Sequence, residues 1–568
     1  MHMNTIREAP IKMRRTMELW VLLCLLVGPC SRAATDAAVS APDRYGADTA
    51  AWIFKHGGNA IDAAVAIAFT LAVTYPEAGN LGGGGFATVY FEGKPYFLDY
   101  RERAPLAATA DMYLDASGAV IADASTVGLR AVAVPGTVDG LWQLHQRFGK
   151  LAWKIDLAPA LRYARRGFRV RPELAAGARE FSKGIAGRTN FDRYFGRLSS
   201  NEVFRQPALS AVLSRIASRG REGFYQGRTA TLLVSEMRRG NGVISARDLI
   251  GYHAVWRAPL VADWQGYQVI TAPPPSSGGI GLVELLKMKA IDAPLFEGVP
   301  LNSAQYVHLL AELEKRVFAD RAEYLGDPDV FKVPMAALID DHYLEARAHE
   351  VSVDQPSRTD SVRPGLGPHH STTHFSVIDR DGNAVSNTYT LNDEFGSGAV
   401  VTGAGFLLNN EMDDFSVKQG VPNLYGVVGG DANSIAPGKR PLSSMTPTIL
   451  VRNHDVALVI GTPGGSRIFT SVFQVITNWH DFALPLPEAV GTARVHHQLL
   501  PDNVLFEEPY QTIAPTVRDT LMARGYRFEN QGWNGDIQAI ALNADGRAVV
   551  APDPRGTGVG RVFHSAAR

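Results

Sequence analysis

The sequence reads as that of an α+β protein, on three observations. Residues 45–56 follow an amphipathic helical pattern stopped by Gly57-Gly58, and residues 60–74 form an Ala-rich, largely apolar helix that reads as buried. Residues 150–350 read mainly as helices joined by short loops, interrupted by a strand near 267–271. Against these stands a β-hairpin. Residues 373–379 alternate apolar and polar, Asp381-Gly382 supplies a tight turn, and residues 383–390 return as a β-branched strand. Helices beside hairpins permit a layered fold, but periodicity alone does not order the layers.

The chain has 568 residues, 20% of them charged, with a net charge of -1, so no bulk attraction to nucleic acid or acidic lipid is expected. Lys12, Arg14 and Arg15 precede an apolar run at 19–27 that is too short to span a bilayer. Ser31-Arg32-Ala33 offers small residues for cleavage after Ala33, so residues 1–33 read as a signal peptide and the protein as periplasmic or secreted. Met13 is an alternative start, and Met17-Glu18 make Arg14-Arg15 a poor twin-arginine signal. The only cysteines, Cys24 and Cys30, leave with the signal, so the mature chain should hold no disulfide. Pro29 disfavours a lipid anchor on Cys30.

Further along, Asn80–Phe86 (NLGGGGF) could cradle a phosphate, but no Lys-Ser/Thr follows. Close backbone packing before a strand at 86–91 is the better reading. Arg101 ends a strand at 95–100, and residues 132–142 read as strand, Pro-Gly turn and helix. The basic run at 162–171 reads as a solvated helix end followed by a strand. The triple proline of PPPSSGG (273–279) suggests a rigid loop, without the Gly-x-Ser-x-Gly elbow of a serine nucleophile. No His/Cys/Asp/Glu group has metal-ligand spacing, and His369-His370 falls in a Pro/Ser/Gly-rich linker at 354–370. Neither a cofactor nor metal dependence is expected. Beyond the hairpin, residues 403–408 lead to NNEMDDFS, with Glu411, Asp413 and Asp414 close together, and a Gly/Pro-rich stretch at 419–430 carries Tyr425. Ser443-Ser444 precede a strand at 456–460, which ends in GTPGGSR. Gly464-Gly465 there present backbone N–H groups before a helical run at 468–479, an arrangement suited to an oxyanion.

The Thr372-Thr373 pair sits where the linker becomes a strand, which suggests a cut that leaves an N-terminal threonine on a rigid element. A free α-amine has a pKa of about 8 and can serve as base to its own hydroxyl, so one residue would supply nucleophile and base.

TTHFSVIDRDGNAVSNTYTLN, LLNNEMDDFS, PNLYGVVGGDAN, KRPLSSMTPT and GTPGGSR, with GGNAIDAAVA, NLGGGGF, DYRERAP, PPPSSGG and EYLGDPD upstream, resemble in order the gamma-glutamyltransferases. These are self-cleaving enzymes of the N-terminal-nucleophile hydrolase superfamily. The resemblance covers nearly all the chain after about residue 40. It implies a four-layer αββα sandwich and autocatalytic cleavage between Ser371 and Thr372. A large chain, 34–371, and a small catalytic chain, 372–568, would form one globular heterodimer. Thr372 would take a gamma-glutamyl group from glutathione or another gamma-glutamyl amide and pass it to water, an amino acid or a dipeptide. Gly464 and Gly465 would hold the oxyanion, and Thr390 would steer the Thr372 amine or hydroxyl. Arg101, Ser443 and Ser444 would meet the glutamyl α-carboxylate; Asn392, Glu411 and Asp414 its α-amine. Arg103 is the alternative to Arg101, Asp413 is read as structural, and Tyr425 as belonging to a lid. No stable membrane span is expected.

A two-residue turn at Asp381-Gly382 pairs Arg380 with Asn383 and sets Thr390 opposite Thr373, which leaves Thr390 on the wrong face for Thr372. His374 shares the face of Thr372 and is a rival base, with a structural, hydrogen-bonded histidine favoured. The rival functions are a glutaryl-type acylase, against which Asn392, Glu411 and Asp414 argue, and an exported protein that no longer cleaves itself.

Overall fold

The computed structural model describes residues 35–359, 361–362, 371–418, 430–508, 510 and 513–564, with the side chains of Ser371 and Thr372 outside that description. The signal segment, most of the linker and Tyr425 therefore lie outside the described residues. Seven principal helices and thirteen strands build the body. The helices are α1 Arg44–Lys55, α2 Ala60–Thr74, α3 Thr137–Phe148, α4 Trp153–Asp156, α5 Gly278–Ile291, α6 Ala304–Tyr324 and α7 Arg467–His480. The strands are β1 Ala37–Ala41, β2 Gly84–Phe91, β3 Lys94–Asp99, β4 Val255–Arg257, β5 Leu260–Trp264, β6 Tyr267–Thr271, β7 Ser371–Ile378, β8 Ala384–Asn392, β9 Thr448–Arg452, β10 Asp455–Gly461, β11 Gln538–Leu542, β12 Ala548–Pro552 and β13 Val559–Phe563.

Two sheets lie face to face. One runs in the order β13-β1-β7-β8-β2-β3-β4 and the other β12-β11-β10-β9-β6-β5. Ala38, Ile378 and Ala384 of the first sheet meet Ile449, Val459 and Ile540 of the second. On the outer face of the first sheet, Phe375, Val377, Val385 and Tyr389 pack under α1–α4. On the outer face of the second, Leu450, Leu458 and Ile460 pack under α5, α6 and α7. The result is the four-layer αββα order. Alternation along β7 and β8 explains it: one parity supplies large apolar groups to the helices, and the other supplies Ser376, Ile378, Ala384 and Ser386 to the space between sheets. The polar groups are paired there, Ser376 Oγ donating to Gln538 O at 2.9 Å and Ser386 Oγ to Ile460 O at 3.0 Å.

The central hairpin differs from its predicted register. Asp379 Oδ1 accepts from the N–H groups of Asp381 and Asn383, and Gly382 adopts φ +76°. The loop is thus three residues, Arg380-Asp381-Gly382, closed by Gly382 in the left-handed region that glycine enters without a steric penalty. The ladder shifts by one, pairing Ala384 with Ile378 and Thr390 with Thr372, before a bulge sets Asn392 against Ser371. The predicted face conflict between Thr390 and Thr372 disappears.

Three other expectations change. The predicted strand at the start of 132–142 is only a bridge between Arg103 and Val134. The basic run does end helix and strand at the surface, but its last residue, Arg171, turns inward to pair with Glu77. The N-terminal strand β1, inserted between β7 and β13, was not anticipated.

Candidate active site

Position 372 lies at the open end of the central hairpin, directly opposite Thr390. Thr390 is held from two sides: its Oγ1 accepts the Asn392 N–H at 2.8 Å, and its carbonyl accepts Asn80 Nδ2 at 2.8 Å. Asn80 Oδ1 in turn accepts the Gly83 N–H at 3.0 Å and Thr137 Oγ1 at 2.7 Å. A Cβ on Gly83 would come within 1.9 Å of the Thr390 carbonyl oxygen, so the glycine run is a packing device that brings β2 against β8. Asn80, the first residue of NLGGGGF, is thus a site-building residue whose role shows only in the folded contacts.

His374 is buried, with Nδ1 2.8 Å from Thr388 Oγ1 and Nε2 3.1 Å from Ser376 Oγ. Burial pulls its pKa down to about 3. It is a neutral, hydrogen-bonded histidine with both ring nitrogens engaged. Gly461, at the end of β10, packs onto its ring, since a Cβ there would lie 2.4 Å from Cε1. The turn that follows, Gly464-Gly465, is therefore brought beside the hairpin end. Neither of its N–H groups is bonded to a backbone carbonyl of the described residues, while the Gly464 and Gly465 carbonyls cap the first turn of α7.

On the other side of the hairpin end lies a buried charged cluster. Arg101 Nη1 stands 2.6 Å from Glu411 Oε2, Nη2 contacts Asp414 Oδ2, and Glu102 Oε2 is 3.5 Å from Nη1. Arg101 Nη2 also donates to Leu442 O at 3.1 Å, which ties the cluster to the Ser443-Ser444 loop. Burial raises Glu411 and Glu102 well above the usual carboxylate range, and raises Asp414 to about 6, with Arg101 opposing the rise in each. Burial alone would lower Arg101, but Glu411, Asp414 and Glu102 outweigh it and hold its pKa above the ordinary value. Among these four groups three acids face one guanidinium, and a second cation entering beside them would favour the charged forms that burial disfavours. Asn392, at φ +81°, donates Nδ2 to Asn410 O at 3.0 Å, and its Oδ1 has no partner among the described residues.

Arg101 was expected to face a carboxylate of a bound molecule; in this structure it faces the two acids themselves. A second arginine stands behind the Ser443-Ser444 loop. Arg321, buried in α6, donates Nε to Ser277 Oγ at 2.6 Å and Nη2 to Ser444 Oγ at 2.9 Å. Burial brings it down to about 9 although Asp414 acts the other way. Ser443 Oγ accepts the Met445 N–H at 3.2 Å. Asp413 accepts Ser125 Oγ at 2.6 Å. Arg103 donates to Gly438 O at 2.7 Å, away from the acids. Among the described residues no helix is long and apolar enough to cross a membrane.

Comparison with known proteins agrees with this geometry. The family model described as gamma-glutamyltranspeptidase matches residues 46–563. The chain is 58% identical over 551 residues to the glutathione hydrolase proenzyme of Pseudomonas aeruginosa, spanning 96% of this chain and 98% of that protein. The gamma-glutamyltranspeptidase of Pseudomonas nitroreducens, solved with L-DON, shares 57% identity at a TM-score of 0.57, covering 57% of this chain and 97% of the solved one. The cephalosporin acylase of Bacillus halodurans aligns at a TM-score of 0.79 and 25% identity, covering 93% of this chain and 96% of that one.

Proposed function

The chain belongs to the gamma-glutamyltranspeptidase family, and from that premise we propose how its own residues carry the reaction. The activity is that of a gamma-glutamyltransferase and glutathione hydrolase, made as a self-cleaving proenzyme. The Thr372 hydroxyl attacks the Ser371 carbonyl carbon, the peptide C–N bond breaks as an ester forms, and water hydrolyses that ester. Two chains remain associated, one ending at Ser371 and one starting at Thr372. A signal peptide at 1–33 sends the protein out of the cytoplasm.

In the mature enzyme the Thr372 amine takes the hydroxyl proton, and the oxygen attacks the gamma-carbonyl of the substrate. The Gly464 and Gly465 N–H groups receive the oxyanion; loss of one such donor typically costs a factor of about 10²–10³ in rate. Thr390, opposite in the register, orients the Thr372 amine or hydroxyl. The leaving amine departs with a proton, and water or an amine acceptor releases the gamma-glutamyl group. The glutamyl ammonium enters against Asn392 Oδ1, Glu411 and Asp414. The α-carboxylate meets Arg101 and the Ser443-Ser444 loop that Arg321 backs.

The observation that carries this reading is the buried cluster of three acids and one arginine beside position 372. An acylase for glutaryl groups has no ammonium to place there. Mass spectrometry of the purified protein followed by assay on a chromogenic gamma-glutamyl anilide tests it. Two chains and rapid anilide cleavage are expected; a single inert chain would contradict it.

A further inference from the structure

At the turn end of the central hairpin, about 20 Å along the strand from position 372, a second polar cluster serves no step of the reaction. It joins the start of α2, the end of α3 and the end of α4. The Ala60 N–H at the start of α2 donates to Asp379 Oδ2 of the hairpin loop at 3.0 Å, which places the cluster beside that loop.

Three side chains converge there: Asp62, His145 and Asp156 each bring one possible ligand atom within 4.8 Å of the others. His145 Nε2 lies 3.6 Å from Asp156 Oδ2 and 2.9 Å from the Leu151 carbonyl oxygen. Asp62 is fixed by three backbone N–H groups: Lys150 and Leu151 on Oδ1 at 2.9 and 3.1 Å, and Asn59 on Oδ2 at 2.9 Å. Asp156 is different. It is fully buried, and among the described residues neither carboxylate oxygen has a hydrogen-bond partner. A buried carboxylate without donors is costly unless something compensates it. Of the two side chains that meet it there, an imidazole and another carboxylate, only the imidazole can supply a proton, and at 3.6 Å it does not.

The geometry points to a divalent-cation site of the zinc type, formed by His145 Nε2, Asp156, Asp62 and the Leu151 carbonyl. One imidazole and two carboxylates match zinc's N/O preference, with bonds of about 2.0–2.2 Å; ligands on such an ion stand about 3–3.6 Å apart. The two separations around His145 already lie in or near that range, and no pair among the three side chains exceeds 4.8 Å. Calcium, which takes about 6–8 oxygen ligands, is poorly served by four donors that include a nitrogen. Ligation requires the imidazole proton on Nδ1, where the Gln146 side-chain amide lies 3.3 Å away and, with its oxygen turned toward the ring, accepts it. The ion would fasten the loop after α3 to the first turn of α2, the helix on which Tyr389 of the hairpin rests through its hydroxyl and the Ala68 carbonyl, at 3.0 Å. Its role is structural, so hydrolysis itself needs no metal.

The test uses the mature, tag-free two-chain protein, stripped with EDTA, reloaded with ZnCl2 and desalted, then read by elemental analysis and thermal melting. About one zinc per molecule should be retained, with a Tm raised over the stripped protein. Asp156→Asn and His145→Gln should each lose the retained zinc and the zinc-dependent rise. Gamma-glutamyl anilide hydrolysis at 25 °C should be unchanged in whichever variant folds. Absence of retained zinc in the unmutated protein, or equal retention in Asp156→Asn and His145→Gln, overturns the assignment. Selective retention of calcium in place of zinc does so too.

Discussion

The charged cluster around Arg101 adjoins the hairpin around position 372, since Asn410, next to Glu411, donates its N–H to Leu391 O at 3.0 Å, yet the two are built on opposite electrical principles. In the cluster, Glu102, Glu411 and Asp414 share one guanidinium in direct contact, with Arg321 a few bonds away on Ser444. The acids outnumber the guanidinium, and Asp414 is raised to about 6 by burial set against Arg101. At the hairpin, His374 is held neutral by burial and bonded to Thr388 and Ser376, while Thr390 accepts the Asn392 N–H, all without net charge. The difference separates two tasks. In the mechanism proposed above, the acid-rich cluster would select which acyl group enters, and the neutral hydrogen-bonded frame would hold the attacking residue. A change to one region should therefore leave the other's task intact.

The largest expected effect is on the hairpin. Thr372→Ala should leave one uncut chain with no measurable gamma-glutamyl turnover, seen as a single band and a flat assay. A processed, active Thr372→Ala protein would place the chemistry elsewhere.

Asp414→Asn should act on selection alone. Leaving a buried charge partner unpaired costs about 2–5 kcal/mol, or roughly thirty-fold or more in kcat/KM. That loss is expected for a gamma-glutamyl anilide, with much less change for a glutaryl anilide, which has no ammonium. The unmutated enzyme should itself discriminate between the two anilides by a similar factor, and comparable kcat/KM values would favour the general acylase.

Acidity offers a milder version of the same experiment. Asp414 has a raised pKa of about 6, so it takes up a proton as pH falls through that value and its attraction for an ammonium is lost. The kcat/KM for the gamma-glutamyl anilide should therefore gain an extra acid limb near about 6 that the glutaryl anilide lacks. His374, neutral above about 3, should contribute no limb. Parallel profiles for the two substrates would break the comparison. The smallest effect is expected for Thr388→Val, which removes one hydrogen bond to His374. It should lower stability by about 1–3 kcal/mol in denaturant melts and leave the ratio of the two anilides unchanged.

Much of this was legible in the sequence because it is local. The apolar run gave α2 its bounds, and the alternation in β7 and β8 gave the hairpin. The register was misread because Asp379 binds two N–H groups in the loop, which lengthens the turn by one residue. That side-chain capture is invisible to a count of turn residues. Arg321 carries no distinctive signal because it lies in the last turn of the 21-residue helix α6, where a basic residue reads as an ordinary complement to the helix end. Arg171 was read as solvated because its partner, Glu77, is 94 residues away. The pairing of β1 with β13 and β7 joins segments hundreds of residues apart, which periodicity does not register. Asp62, His145 and Asp156 show no ligand spacing in the sequence and meet only through the packing of α2, α3 and α4.

The separation of cutting from selection is tested most directly by N-terminal sequencing of the small chain from the unmutated protein and from Asp414→Asn, alongside their gamma-glutamyl turnover. Both small chains should begin Thr-Thr-His-Phe-Ser, with gamma-glutamyl kcat/KM lowered roughly thirty-fold or more only in the variant. A small chain beginning at Thr373, or an Asp414→Asn protein that stays uncut, would contradict it.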